Sequence, residues 1–411
     1  LDPLRWVAAV FVVLVGCKKQ PPAPVVEETR PVVDAAAKPV PITAKPIAIV
    51  SGIDHDCALL EDGQVACWGS PLFGVLGPRA GEDGAVGIVP GVAKVKQLVA
   101  GERNHCALVA RGAVKCWGEN LSGELGVPGA DREVVEPIAE GAIAIAAGSS
   151  GHTCAIVGST VKCWGENASH AAGGADTSVD VESPREIEGL GAAQAIVLGG
   201  STSCVRSGPS WQCWGSNIHH QLGLAEPLKS PTPLRVKAFD GFKTIALGDQ
   251  IACRLATTGA VTCLGSSYDG RRGDGAGVAP KGPAQIGKIE NEKQLEDWAK
   301  GQETREADEA TPHELFGVTD IVELALGNVH ACARRTTGAV ACWGTNKRGQ
   351  LGDGTQDSRS KPVAVKGIDD AIAISVGWHH SCAIRKSGGV WCWGGGPDKD
   401  KPRLAPVRVA L

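Results

Sequence analysis

The chain has 411 residues, with 55 Gly, 15 Cys, no Met and a formal net charge of −4. That length fits a few ordinary domains or one large repetitive domain, and the near-neutral charge balance does not favour nucleic acid as a partner. No GxSxG, HExxH or GxxxxGK[ST] segment occurs, so none of these common catalytic signatures is present.

Residues 6–16, WVAAVFVVLVG, are an eleven-residue apolar run behind Arg5. A bilayer span takes about twenty residues, so the run suits the core of a signal peptide. The junction Leu14-Val15-Gly16-Cys17 resembles a bacterial lipobox. The resemblance implies a lipoprotein signal peptide over 1–16, with lipidation of Cys17. Two or more acyl chains on one residue anchor a protein stably to a membrane. Residues 18–46 contain seven Pro and no periodic pattern. With Cys17 they make a lipidated, Pro-rich tether over 17–46, able to reach roughly 90 Å at about 3.1 Å per residue.

From residue 47 to 411 the remaining fourteen cysteines form seven pairs. They are Cys57 and Cys67, Cys106 and Cys116, Cys154 and Cys163, Cys204 and Cys213, Cys253 and Cys263, Cys332 and Cys342, and Cys382 and Cys392. First members recur after 49, 48, 50, 49, 79 and 50 residues. One unit is therefore repeated seven times, with an insertion at about 283–317, which indicates a repeat architecture.

The pair spacing tests a hairpin. A ten-residue spacing centres the turn on a three-residue loop whose third residue is Gly63, Gly112, Gly259, Gly338 or Gly388. Such loops favour a type I turn followed by a left-handed residue. A nine-residue spacing leaves two-residue loops, Gly158-Ser159 and Gly208-Pro209, with Gly where a type II′ turn requires it. Both place the cysteines opposite each other in the non-hydrogen-bonded register, with Cα atoms about 4.5 Å apart, within reach of a disulfide. Opposed but reduced pairs are the alternative in a reducing cytosol. Zinc is a poorer fit, since no CxxC occurs.

Each unit supplies four short strand candidates. In the sixth they are HACARR, AVACWG, KPVAVKG and, leading into the next hairpin, IAISVG. The segment Ala341-Cys342-Trp343-Gly344-Thr345-Asn346-Lys347-Arg348-Gly349-Gln350-Leu351-Gly352-Asp353-Gly354-Thr355 resembles the regulator-of-chromosome-condensation (RCC1) repeat. So do Gly327–Ala333 before it and Pro362–Val365 after it. The resemblance recurs over 47–411 and implies an all-β, seven-bladed β-propeller of RCC1-like repeats, with one intra-hairpin disulfide per blade. Three units depart from the pattern: the fifth has Leu264 in place of Trp, the third reads ENASHAAGG, and the seventh ends in GGGPDKDKP. These departures predict altered loops on one face. The segments IAIVSG and PVRVAL predict a clasp, in which a strand at 406–410 completes the blade begun by 47–69.

Trp68, Trp117, Trp164, Trp214, Trp343 and Trp393 share one repeat position and read as packing between blades. His55, His152, His330 and His380, with His105 shifted by one, read as a structural hydrogen bond in each blade rather than a metal site. Residues 288–314 carry nine acidic and four basic groups. Leu295 and Trp298 suit a short helix there, and Trp298, Glu296 and Asp297 are the candidate partner contacts.

The expectation is a non-enzymatic, monomeric lipoprotein without cofactor. It would be exported and lipid-anchored to a bacterial membrane, the outer membrane being the favoured one. It would contact that membrane only through its anchor, bind no nucleic acid, and use the propeller as a scaffold for an envelope or extracellular protein or glycan. Resemblance to a secreted β-lactamase inhibitor built on a similar propeller makes a face that plugs an enzyme's active site the alternative. RCC1-like proteins also act as GTPase nucleotide-exchange factors, an activity that export disfavours. A propeller glycosidase would need two carboxyl groups converging at the ring centre.

Overall fold

Each cysteine pair sits in a two-stranded antiparallel hairpin whose turn follows from its Gly. Gly63, Gly259, Gly338 and Gly388 take φ of 80, 85, 91 and 103°, closing three-residue loops. Gly158 and Gly208, at φ 60 and 62°, open the two-residue loops. The second blade differs: Arg111 joins Gly112 at positive φ, 65° against 78°. In every hairpin the two cysteines are direct cross-strand partners. Cys57 faces Cys67, Cys106 faces Cys116, Cys154 faces Cys163, and Cys204 faces Cys213. Cys253 faces Cys263, Cys332 faces Cys342, and Cys382 faces Cys392. Their Cα atoms are 4.0–4.1 Å apart, slightly closer than the register alone suggests, and all seven disulfides are formed. Each closes a short loop, worth about 2–3 kcal/mol by chain entropy.

This architecture comes from a computed structural model that describes residues 42–77, 85–129, 132–174, 179–276, 308–395 and 401–411. The chain divides into a unit over Leu1–Ala37 and a second over Lys38–Leu411. The expected signal peptide, Cys17, nearly all of the tether, and Glu296, Asp297 and Trp298 lie outside the described residues. Among the described residues no helix is long and apolar enough to cross a membrane.

The second unit is a seven-bladed β-propeller of seven four-stranded antiparallel sheets in simple chain order. Blade six shows the plan: inner strand Ile321–Leu326, hairpin His330–Arg335 and Val340–Gly344, outer strand Arg359–Ala364. Inner strands surround the axis, and the hairpins form a buried middle layer. The core lies between blades. One cluster joins Val340, Leu351 and Ile368 of blade six to Ile374, Ala383 and Trp393 of blade seven. An isolated blade would expose both faces of its hairpin, so each sheet depends on its neighbours.

The expected clasp does not form. Pro46–Ser51 is the inner strand of blade one, and Arg403–Val409 is the outer strand of blade seven, pairing Val407 with Cys392. The two segment types are consecutive in the chain but belong to adjacent blades, because the outer strand pairs with the hairpin it follows (Val363 with Cys342). The ring instead closes by packing Ile49, Ala58 and Trp68 on Cys382, Ile384 and Val390. The amide of Trp378 also donates to the carbonyl of Gly52 at 3.3 Å.

A collar of backbone encircles the axis where the inner strands end. Gly148, Gly199, Gly248, Gly327 and Gly377 each face the carbonyl of the next blade's collar glycine, and a Cβ on them would lie 2.4–2.9 Å from that oxygen. Gly52 meets the Glu102 carbonyl at 2.9 Å and Gly101 that of Gly148 at 3.4 Å. Only a residue without a side chain lets backbones approach this closely.

The far end of the expected insertion belongs to the ring. His313–Glu314 is the outer strand of blade five, pairing with Thr262 and Cys263, and Leu315 is buried in that blade's core. The acidic composition of 288–314 concealed this two-residue strand.

Candidate binding face

The collar turns and the long connections from third to outer strand share one face, since successive strands alternate in direction. Each long connection starts at a glycine whose positive φ lifts the chain off the sheet, from 94° at Gly215 to 110° at Gly118. In blades two, three, four and six an Asn then folds the connection on itself. Asn346 Oδ1 accepts from Leu351 N at 3.0 Å, and its Nδ2 donates to Thr355 O. Asn120, Asn167 and Asn217 repeat this with Leu125, Ala172 and Leu222. The third copy therefore keeps its turn despite lacking GQLG, because the Asn clamp rather than the GQLG residues sets its backbone. Blade five keeps the hairpin with Leu264 buried in place of Trp.

The residue three after that glycine stands at the apex. In blades one, two, four and five it is apolar: Leu72 is 65%, Leu121 77%, Ile218 46% and Tyr268 46% exposed, while blades three and six have Ala168 and Lys347 there. Phe73 and Leu228 in the same connections and Val179 in blade three's are also exposed, and Arg103 lies over the Phe73 ring, 5.3 Å from its centroid. These residues form an apolar crown on one face, whereas the opposite face exposes Ile47, Ile143 and Ile372. The crown was not singled out from sequence. Its signal was there: apolar side chains recurring at one position of otherwise polar loops.

Inside the crown, all seven blades line an axial cavity of about 100 Å³, with Ile53, Glu102, Ser149, Asn328 and Trp378 around its mouth. Glu102 is the one carboxylate among its described lining residues, where a glycosidase needs two. Burial raises the Glu102 carboxyl above its ordinary value, against the pull of Arg103.

In blade five Arg272 occupies the position of Leu125 and Leu351 and is just as buried. Asp274 and Asp308 neutralise it at 2.8 and 2.7 Å, and His313 Nε2 lies 3.1 Å from Asp308. A buried arginine without such partners would be strongly unfavourable.

His105, His152, His330 and His380 bond between blades, not within them, whereas His55 Nε2 has no partner among the described residues. His152 Nε2 lies 3.0 Å from Ser203 Oγ of the next blade, and His330 Nε2 lies 2.7 Å from Ser381 Oγ. Each serine donates to a carbonyl of the preceding blade's turn, Ala171 or Gln350. The same carbonyl accepts the indole N–H of Trp214 or Trp393, 2.9 Å away in each case. Trp117, Trp164 and Trp343 donate likewise to Val75, Glu124 and Arg271. The tryptophans thus act as packing, as expected, and as inter-blade ties. Burial holds His152 down to about 4 and His330 to about 3, so both are neutral near pH 7.

At the seventh-to-first seam His380 instead meets Asp56 at 2.8 Å. Burial lowers His380, but the Asp56 charge and hydrogen bond override it and leave it raised. Burial raises the Asp56 carboxyl, and the His380 charge and hydrogen bond override that to leave it lowered. Cys382 lies close to both, but its sulfur is bonded to Cys392, so this group lacks a thiolate for a metal.

A model of the regulator of chromosome condensation (RCC1) repeat matches residues 337–384, and a second model of that repeat matches 95–124, 321–350 and 371–398. Comparison with curated protein sequences finds no match. Among solved structures, human WBSCR16 is similar at TM-score 0.68 and 18% identity, over 84% of this chain and 89% of that one. Prp20p from Saccharomyces cerevisiae, described for its binding to Gsp1p and histones, is similar at TM-score 0.69 and 18% identity, over 89% and 87%. At such identities the likeness shows the fold.

Proposed function

We propose that this chain, a seven-bladed propeller of RCC1 repeats, is an exported, lipid-anchored scaffold that holds a protein partner on its crowned face. The observation that carries the reading is the exposure of Leu72, Leu121, Ile218 and Tyr268 at one repeat position. Apolar groups left in water forgo about 25 cal/mol for each Å² that a partner would cover. Apolar and aromatic anchors within a polar rim are the usual make-up of a protein–protein hot spot. Aliphatic anchors dominate here, which favours a protein over a glycan. Seven buried disulfides support export, because such bonds persist in oxidising compartments. The apolar run before Cys17 supports an acyl anchor, and the Pro-rich segment would hold the propeller clear of the membrane.

The test is photo-crosslinking from position 121 in native envelopes, comparing the parent with a Leu121→Asp, Ile218→Asp, Tyr268→Asp variant carrying its crosslinker at 72. The variant is expected to lose at least about tenfold of the crosslinked partner while keeping its Tm, as truncated hot spots do. Equal crosslinking by both would move the binding site off the crown. Labelling with a radioactive fatty acid, abolished by Cys17→Ser, checks the anchor.

A further inference from the structure

We infer that the axial chamber on the side of the collar away from the crown is a binding site for a single acyl chain with an anionic head group, the chain lying between the inner strands and the head meeting Lys96 and Lys243. Pairing with the hairpins aligns the seven inner strands position by position. At the end away from the collar, one position reads Ile, Lys, Ile, Gln, Lys, Val, Ile from blade one to blade seven, beginning with Ile47 and ending with Ile372. In blades one, three, six and seven it is the extra residue where the register shifts, so it stands outside the ladder. Ile47, Ile143 and Ile372 are 52, 62 and 46% exposed, and Lys96 and Lys243 are exposed as well.

Behind this mouth lies a chamber of about 330 Å³, within the usual range of small-molecule pockets, about 300–1,000 Å³. Six of the seven inner strands wall it, with Val50, Val99, Ala146, Val197 and Ala325 at the level of the disulfides. Gln97 is the longest polar side chain in the wall. Its Nε2 donates to Ile145 O at 2.7 Å and its Oε1 accepts from Ile145 N at 3.0 Å, which leaves the wall apolar. Leu198, Leu326 and Val376 line both this chamber and the collar cavity, so they form its floor. The sign of the mouth follows from what is neutralised there. Glu323 is the one carboxylate on the inner strands, and Arg334 pairs with it at 2.6 Å. Asp320 and Asp370, at the strand starts, pair with Arg335 and Arg385. Among the described residues Lys96 and Lys243 make no ion pair. An aliphatic chamber behind two uncompensated lysines fits an amphiphile with one chain and a negative head. A neutral apolar ligand would leave the lysines unused, and a basic one would be repelled. The walls and mouth lie within the described residues and share no residue with the crown.

The experiment titrates the full chain with straight-chain carboxylates from hexanoate to tetradecanoate, below their micelle-forming concentrations, read by calorimetry. One-to-one saturable binding is expected, tightening about fourfold per methylene until the chamber is full and levelling off beyond. Dodecyl phosphate, run beside dodecanoate, tells which anionic head is preferred, and saturable binding of either supports the site. Lys96→Gln combined with Lys243→Gln should weaken dodecanoate about fivefold at low salt, an effect that added salt erodes, and should leave dodecanol unchanged. Ala146→Phe and, separately, Ala325→Phe fill the chamber and should each abolish binding, so that one folded variant suffices. Crown variants should bind dodecanoate as the parent does, so failure of the crown reading leaves this one standing. Absence of binding by the full chain at millimolar carboxylate, an affinity independent of chain length, or unchanged binding by a folded chamber variant would each overturn the inference. So would binding to phosphatidylglycerol vesicles without binding of the monomeric amphiphiles, which would make the mouth a membrane-contact surface.

Discussion

Neighbouring seams of this ring are closed by different chemistry. Between blades six and seven, His330, Ser381, the Gln350 carbonyl and Trp393 make one neutral hydrogen-bonded network. Between blades seven and one the serine is Asp56, and a buried ion pair with His380 holds the place of the network. Disulfides and the glycine collar repeat at both. The comparison shows that repeat symmetry resides in the covalent and backbone frame, while side-chain chemistry adapts to what each blade can supply.

The largest expected effect tests that contrast directly. Asp56→Ala leaves His380 buried without its counter-charge and should cost about 3–5 kcal/mol, the usual result of breaking a buried pair. Ser203→Ala removes one neutral link and should cost about 1–2 kcal/mol. Denaturant unfolding of both variants measures the two, and equal losses would erase the distinction between the seams.

An intermediate effect comes from pH. His105, His152 and His330 are lowered to about 3, 4 and 3, chiefly by burial. Below about pH 6.5 the unfolded chain binds protons that these folded histidines refuse, so stability falls as pH drops from there toward 4. His380 is raised, so its contribution is complete below about 6.5 and is lost as pH rises through its folded value. The lowered Asp56 contributes above about 3.8 and loses that only as pH falls through its folded value. Melting temperature against pH should therefore decline on the acid side, with a smaller alkaline decline due to His380. Asp56→Asn should remove the alkaline decline and leave the acid one.

The smallest effect is also the sharpest. Trp393→Phe should cost about 1 kcal/mol through the lost indole bond, and Trp68→Phe, whose indole nitrogen has no acceptor among the described residues, less. A matching cost at both positions would mean that Trp68 already has an acceptor.

Much of the scaffold was legible because spacing is geometric. Cysteines nine or ten apart, with Gly at a matched place between them, leave few options besides a hairpin in that register. The ten-spaced Cys57–Cys67 and Cys106–Cys116 bonds and the nine-spaced Cys154–Cys163 and Cys204–Cys213 bonds all formed as the arithmetic required. The clasp was misread because PVRVAL and IAIVSG follow one another along the chain, and sequence adjacency does not reveal which side of a blade boundary each lies on. The histidines were recognised as structural, but their partners 48–51 residues away in a neighbouring blade, or 324 away at the closing seam, have no local signal. The crown escaped because an exposed Leu in one loop means nothing, and only superposing the loops shows Leu72, Leu121, Ile218 and Tyr268 to be equivalent.

The axial collar explains how such uneven blades remain one ring. Its contacts are made by main-chain atoms, which are the same in every unit whatever the side chains. Blade five exchanges a tryptophan for Leu264, buries Arg272 where others bury leucine, and carries some thirty additional residues, yet Gly248 meets its neighbour's carbonyl as the other collar glycines do. A gauge that reads only backbone fixes the number of blades and leaves the rim free to diversify. In this molecule, novelty can therefore accumulate on loops and seams without renegotiating the symmetry at the centre.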